Sequence, residues 1–145
     1  MLKTLNETLA QFPFAILFDQ GNDEIYLAYN DSNLVVALNA STNKVISNIT
    51  VGQYPSGIAY DPTDGFIFVT NEGSGSISVV NDSTNSVVAT IGGASAPNEI
   101  TYDPSNGYLY VTDLRTYGVY VISTSIVDAI VSNSSSCTTS STSSH

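Results

Sequence analysis

The chain has 145 residues, 42% of them hydrophobic, which is enough for one packed domain and too few for two. Only 11% are charged, and three cations (Lys3, Lys44, Arg115) face thirteen carboxylates for a net charge of −10. That balance argues against nucleic acid and against anionic membrane surfaces as partners, since both need several Lys or Arg on one face; no apolar run is long enough for membrane insertion.

The N-terminus, MLKTLNETLAQFPFAILF, carries Lys3 early and FAILF later, but Glu7 and Pro13 interrupt it and no small-residue cleavage site follows. A repeat explains these residues better than a signal peptide does. Shifted by 42, the sequence aligns with itself three times. Pro13, Pro55 and Pro97 share a column, as do Ile16, Ile58 and Ile100, and Asp19, Asp61 and Asp103. Phe18, Tyr60 and Tyr102 form another, followed by Tyr26, Phe68 and Tyr110, then Val35, Ile77 and Val119. The units are residues 11–52, 53–94 and 95–131. Residues 1–10 fall in the columns that end a unit, with Asn6 over Asn48 and Thr8 over Thr50, and read as a partial outer strand of a preceding unit.

The second unit shows how each one folds. Strand SGIAY (56–60) stops at Asp61-Pro62, where proline removes a ladder donor. Asp64-Gly65 makes a tight hairpin into FIFVT (66–70), as Asn106-Gly107 does in the third unit. NEGSGS turns the chain into ISVVN (77–81), DSTN turns it into VVATI (87–91), and GGASAP leads to the next unit. Four short antiparallel strands in a period of this length describe a β-propeller blade. FIFV, YLYV and IYLA are apolar at successive positions, as expected of strands covered on both faces. A two-sheet sandwich also uses short, regularly spaced strands, but it does not require such self-similarity.

In the third unit STSIVDAIV (123–131) stands where the last strand belongs. Residues 132–145, SNSSSCTTSSTSSH, hold eleven Ser or Thr in fourteen positions and read as a disordered tail, the start of an O-glycosylated stalk or a plain flexible end. The fold class is therefore all-β: three four-stranded antiparallel propeller blades. Three blades do not close a ring. The expectation is either an incomplete propeller or one completed by oligomerisation, through self-association of open blade faces.

The stretch FVTNEGSGSISVVNDSTNSVVATIGG (68–93), with YVTD (110–113) and TNKVISNITVG (42–52), resembles the YVTN-type β-propeller repeat of archaeal and bacterial cell-surface and surface-layer proteins. The first unit departs from it with LAYN at 27–30 and the third after Tyr120. The resemblance covers residues 11–131 and implies an extracellular or cell-surface location. It also implies a non-catalytic binding, scaffold or adhesion module with protein or glycan partners, and it supplies no shared catalytic set.

The residues agree. His145 and Cys137 both lie in the tail, away from the folded units, so no Ser-His-Asp or Cys-His arrangement can form there. No phosphate-binding or nucleophile-elbow motif occurs, and no catalytic, cofactor or metal residue is assigned. Asp19, Asp61 and Asp103 recur at turns, two of them before proline, so capping explains them better than acid–base work. Glu72 and Asp113, in turns between second and third strands, and Tyr54 and Tyr117, in the same rim, are candidate contacts for a partner. Candidate N-glycosylation sequons stand at Asn6, Asn30, Asn39, Asn48, Asn81 and Asn133, none in an inner strand. The alternative function is a piece of a larger lactonase-like or quinoprotein-like propeller enzyme whose reactive groups lie outside this chain.

Overall fold

The computed structural model of the chain describes residues 1–5 and 12–136. Eleven strands run in chain order: β1 (Pro13–Asp19), β2 (Glu24–Tyr29), β3 (Leu34–Asn39), β4 (Val45–Thr50), β5 (Pro55–Asp61), β6 (Phe66–Asn71), β7 (Ser76–Asn81), β8 (Ser86–Ile91), β9 (Pro97–Asp103), β10 (Tyr108–Asp113) and β11 (Val119–Ser123). They form three antiparallel meanders, β1-β2-β3-β4, β5-β6-β7-β8 and β9-β10-β11, followed by helix α1 (Thr124–Ser136). These are blades 1, 2 and 3.

The repeat extends to irregularities of the backbone. Register slips fall between Ala37 and Leu38 in blade 1 and between Val79 and Val80 in blade 2, 42 residues apart. The first hairpin of each blade puts a positive φ in one column, at Asp23 (56°), Gly65 (73°) and Gly107 (74°). The second turn does so at Asn33 (55°), Gly75 (63°) and Tyr117 (59°). Each of Asp19, Asp61 and Asp103 uses Oδ1 to accept a backbone N–H two residues on, at 2.9 Å, so all three cap the first turn as expected.

Most of the core lies between blades, and a smaller cluster, Tyr29, Val36 and Leu38, is buried on the face of blade 1 turned away from blade 2. One face of blade 1 (Tyr26, Ala28, Val35, Ala37) meets one face of blade 2 (Ile67, Val69, Val80), with Ile58 and Tyr60 packed alongside. The other face of blade 2 (Ala59, Phe66, Phe68, Ile77, Val79) meets blade 3 (Ile100, Leu109, Val111). Strand β6 is buried at all six positions, which is why its sequence does not alternate. Inner strands β5 and β9 approach closely at Gly57, where a Cβ would collide with the Asn98 carbonyl oxygen.

The third blade departs from expectation. It has three strands, and STSIVDAIV, after Ser123 ends β11, forms α1 rather than a fourth strand. Two physical causes act together. The turn that enters the fourth strand needs a positive φ, supplied by Asn43 (62°) and Asn85 (55°); the third residue of that column is Val127, whose β-branched side chain resists it. Val127 and Val131, four apart, instead put one helical face against the blade 2–blade 3 core. The helix takes in residues 132–136, the first part of the segment read as a disordered tail, while 137–145 lie outside the described residues. Of the outer strand expected at 1–10, residues 1–5 adopt no regular structure and 6–10 lie outside the described residues. No helix among the described residues is long and apolar enough to cross a membrane.

Packing of this kind makes a prediction. Phe68 is fully buried between blades 2 and 3, so Phe68→Ala should cost about 3–5 kcal/mol, read from urea unfolding. A cost under about 1 kcal/mol, the scale of a surface change, would contradict the placement of this core.

Candidate functional site

The blades present two ends. At one end lie the second turns and the connections between blades, which carry the expected rim residues. Asn71, the last residue of VTN, is buried; its Oδ1 accepts the N–H of Gly52 at 3.1 Å, and its Nδ2 donates to Ser76 Oγ (3.2 Å) and Ser78 Oγ (2.9 Å). It ties the incoming connection to the turn beneath it. Asp113 occupies the same column of blade 3. Its Oδ2 accepts the N–H groups of Ser95 (3.0 Å) and Ala96 (2.9 Å), and its Oδ1 those of Arg115 and Thr116 (both 2.9 Å). Burial works to raise the Asp113 pKa, but four N–H donors outweigh it and hold the carboxyl well below the usual range. Asp113 is therefore a buried lock and is not offered to a partner.

The aromatic residues differ. Tyr54 is 53% exposed with φ 54°, and Tyr117 is 93% exposed with φ 59°. A bulky residue in the left-handed region stays there only when its surroundings hold it. For Tyr54 the hold is explicit: its N–H donates to Asn33 Oδ1 (3.2 Å), its carbonyl accepts Glu72 N–H (3.0 Å), and its ring lies over Gly73, where a Cβ would collide with Cδ2. Tyr117 donates its N–H to the Asp113 carbonyl at 3.1 Å. Glu72 is half-buried beside Tyr54. The expected set thus separates: Tyr54 and Tyr117 are presented, Glu72 supports Tyr54 through its backbone, and Asp113 is consumed by the fold.

At the opposite end, first and third turns meet across blade boundaries. Asp19 is buried with Oδ2 lacking a hydrogen-bond partner among the described residues, and Asp82, also buried, lies against it from blade 2. The Tyr60 hydroxyl donates to Asp82 Oδ2 at 3.2 Å, and Asn22 Nδ2 donates to the Asp82 carbonyl at 2.8 Å. Desolvation, and then the Asp19 carboxylate, push the Asp82 pKa up. Desolvation and the neighbouring carboxylates also push up the hydroxyls of Tyr60 and Tyr26, the latter bonded to Glu24 (2.9 Å) and Asn85 (2.6 Å). At the next boundary Asp61 repeats the buried Oδ2 without a hydrogen-bond partner among the described residues, with Tyr102 beside it. There Thr124 takes the column of Asp82, and the acid pair forms instead between Asp64 and Asp128 of α1; desolvation and then Asp128 raise the Asp64 pKa. A cleft of about 430 Å³ between blades 1 and 2 is lined by Phe18, Gln20, Gly21, Tyr60 and Pro62. Among the described residues no group of three or more His, Cys, Asp or Glu is placed to share a metal ion.

The sequence reading missed this acid cluster because Asp82 has no counterpart in its column, where Ala40 and Thr124 stand. It also missed the locking role of Asn71, although the repetition of Asn71 and Asp113 was the available signal. Among the sequons, Asn48 is exposed on β4, Asn39 and Asn81 cap turns through Oδ1, and Asn30 spends its Nδ2 on the Pro55 carbonyl. Asn6 lies outside the described residues, as do Cys137 and His145, and Asn133 falls within α1.

No protein-family model matches this sequence, and no curated protein matches it. Solved structures do. The chain is similar to hydrazine synthase of Kuenenia stuttgartiensis, with a TM-score of 0.75 at 24% identity, covering 87% of this chain and 36% of that one. A chain of the nidogen/laminin complex matches with a TM-score of 0.69 at 16% identity over 82% of this chain and 46% of its own. The RRP9 WD40 repeats match with a TM-score of 0.65 at 10% identity, over 81% and 40%. These likenesses show the fold: the chain is a set of β-propeller blades spanning less than half the length of each matched chain.

The carboxyl shifts fix a pH dependence. Asp82 and Asp64 hold protons more tightly when folded, so their contribution is complete below the ordinary carboxylate pKa near 4 and fades as pH rises through their raised values. Asp113 and Asp103, the latter lowered by the Ser105 hydroxyl and N–H, act oppositely and withdraw stability as pH falls below that range. The melting temperature should climb from pH 7 to about pH 4–5 and drop below about pH 3, and Asp82→Asn should flatten the climb. A melting temperature that falls steadily from neutral pH, or a slope untouched by Asp82→Asn, would refute the assignment.

Proposed function

We propose that the chain is a non-catalytic binding or scaffold module of a cell-surface propeller protein of the YVTN type, facing the exterior and presenting its aromatic rim to a protein or glycan. The observation that carries this reading is the pair Tyr54 and Tyr117. Exposed phenol rings fixed by a strained backbone on a rigid sheet give contact area at little entropic cost, the physics of adhesion and recognition surfaces. The uncharged Ser, Thr, Asn and Tyr surface and the exposed Asn48 sequon support an extracellular, glycosylated setting.

The coverage of 36% of a chain named hydrazine synthase favours one second reading, in which these blades belong to a larger propeller enzyme with its reactive groups in other segments. Labelling separates the two. Intact source cells are treated with a membrane-impermeant amine reagent, and the protein is recovered for mass analysis. The cell-surface reading expects label on Lys44, exposed between β3 and β4, together with glycan mass at Asn48. Label on Lys44 only after lysis, with a bare Asn48, contradicts it.

A further inference from the structure

The aromatic rim has a third member, and it obeys the repeat. Phe12 stands in the column of Tyr54, just before the inner strand of its blade. Both take a left-handed backbone, with φ of 60° and 54°, and Phe12 is 64% exposed. The same bond holds each of them. The Phe12 carbonyl accepts Asn30 N–H at 3.2 Å, as the Tyr54 carbonyl accepts that of Glu72. In blade 3 the bond recurs from Leu114 N–H to the Ala96 carbonyl at 3.0 Å, but Ala96 is buried and has no ring. Tyr117, in the second turn of that blade, brings a ring to the same end instead. Each blade thus contributes one exposed aromatic side chain, held by a left-handed backbone, to one rim.

We infer that this row binds an uncharged polysaccharide laid along the rim; the inference rests on the reading of the rim as a recognition surface and names its ligand. Facing sheets pack roughly 10 Å apart, so rings in one column of consecutive blades stand about two sugar units apart along an extended chain. A pyranose offers a flat C–H face to an aromatic ring and hydroxyl groups to whatever lies beside it. The rim has groups for both, because Asp31, Asn33, Gln53, Ser74 and Thr116, all exposed or half-buried, stand in the turns and connections between the rings. A protein partner would call for a contiguous apolar patch, which these polar residues interrupt. Charge narrows the class further. In the same turns Asp31 and Glu72 outnumber Arg115, on a chain of net charge −10, so an acidic polymer is repelled. Tyr54 stays 53% exposed with a blade packed on either side of its own, so packing on blade faces does not cover its column.

Affinity electrophoresis of the full chain tests this, in native gels cast with mixed-linkage β-glucan, with galactomannan or with polygalacturonate. At least one of the two uncharged polymers should retard the chain, and polygalacturonate should not. Tyr54→Gly removes the middle ring while suiting the left-handed backbone; it should weaken binding about tenfold, the scale of one aromatic anchor, with an unchanged circular dichroism spectrum. Phe12→Gly should weaken it in the same direction, and Tyr54→Phe, which keeps the ring, should retain it. Retardation by neither uncharged polymer overturns the inference, as does retardation that Tyr54→Gly leaves unchanged. Equal retardation by polygalacturonate overturns the charge argument, and a protein crosslinked at the rim of a chain that no glycan retards assigns the row to a protein instead. Surface labelling of Lys44 reports the location of the chain whatever the gels show, so failure of the glycan assignment and failure of the cell-surface reading are told apart.

Discussion

A blade of this protein cannot hide its own apolar residues. Each sheet is one layer thick, and successive apolar residues such as those of FIFV point to opposite sides, so a lone blade leaves both sets in water and a blade with one neighbour leaves one set. Most burial therefore comes from face-to-face contact with a neighbouring blade, at roughly 25 cal/mol for each Å² of apolar surface covered. Blade 2, clamped between two others, is the case in which the requirement is met entirely within the chain, and β6 and β7 are accordingly its driest strands. The columns of the repeat are the same requirement written three times.

Turns at both ends exist to hold the faces at that spacing, and they divide the polar work. At the rim end, Asn71 and Asp113 lock the connections between blades, and in doing so fix Tyr54 and Tyr117 outward in a conformation that neither would adopt freely. At the other end, the boundary is bridged by carboxyl groups pressed together with few donors between them. A chain with thirteen carboxylates and three cations has little means of neutralising such groups except by protons. Its blade boundaries are thus electrostatically better satisfied in mild acid than at neutral pH, while the rim lock, built from a charged Asp113, is not.

Most of the fold was legible in the sequence because it is periodic. One column of prolines, one of aspartates and four columns of apolar residues located the strands and the first turns, and DG and NG marked the hairpins correctly. Where the period lapsed, legibility lapsed with it. Val127 in an asparagine column was the one-residue warning that the last strand would become α1, and the Ile-Val-Asp-Ala-Ile-Val stretch reads as readily for a helix as for a strand. The rim was foreseen as a place but not in its division of labour, since exposure of Tyr54 and saturation of Asp113 depend on backbone N–H groups that no side-chain pattern records. The Asp19–Asp82 contact joins residues 63 positions apart in different blades and in unmatched columns, so nothing in the repeat announces it.

Native-state hydrogen exchange, followed at a dilution where light scattering shows a single copy, measures the dependence of each blade on its neighbours most directly. The account predicts that amides of β6 and β7 exchange slowest, only through global unfolding, while those of β1 and β11 open earlier. Equal protection in all three blades, or slower exchange in β1–β3 than in β5–β7, would contradict it.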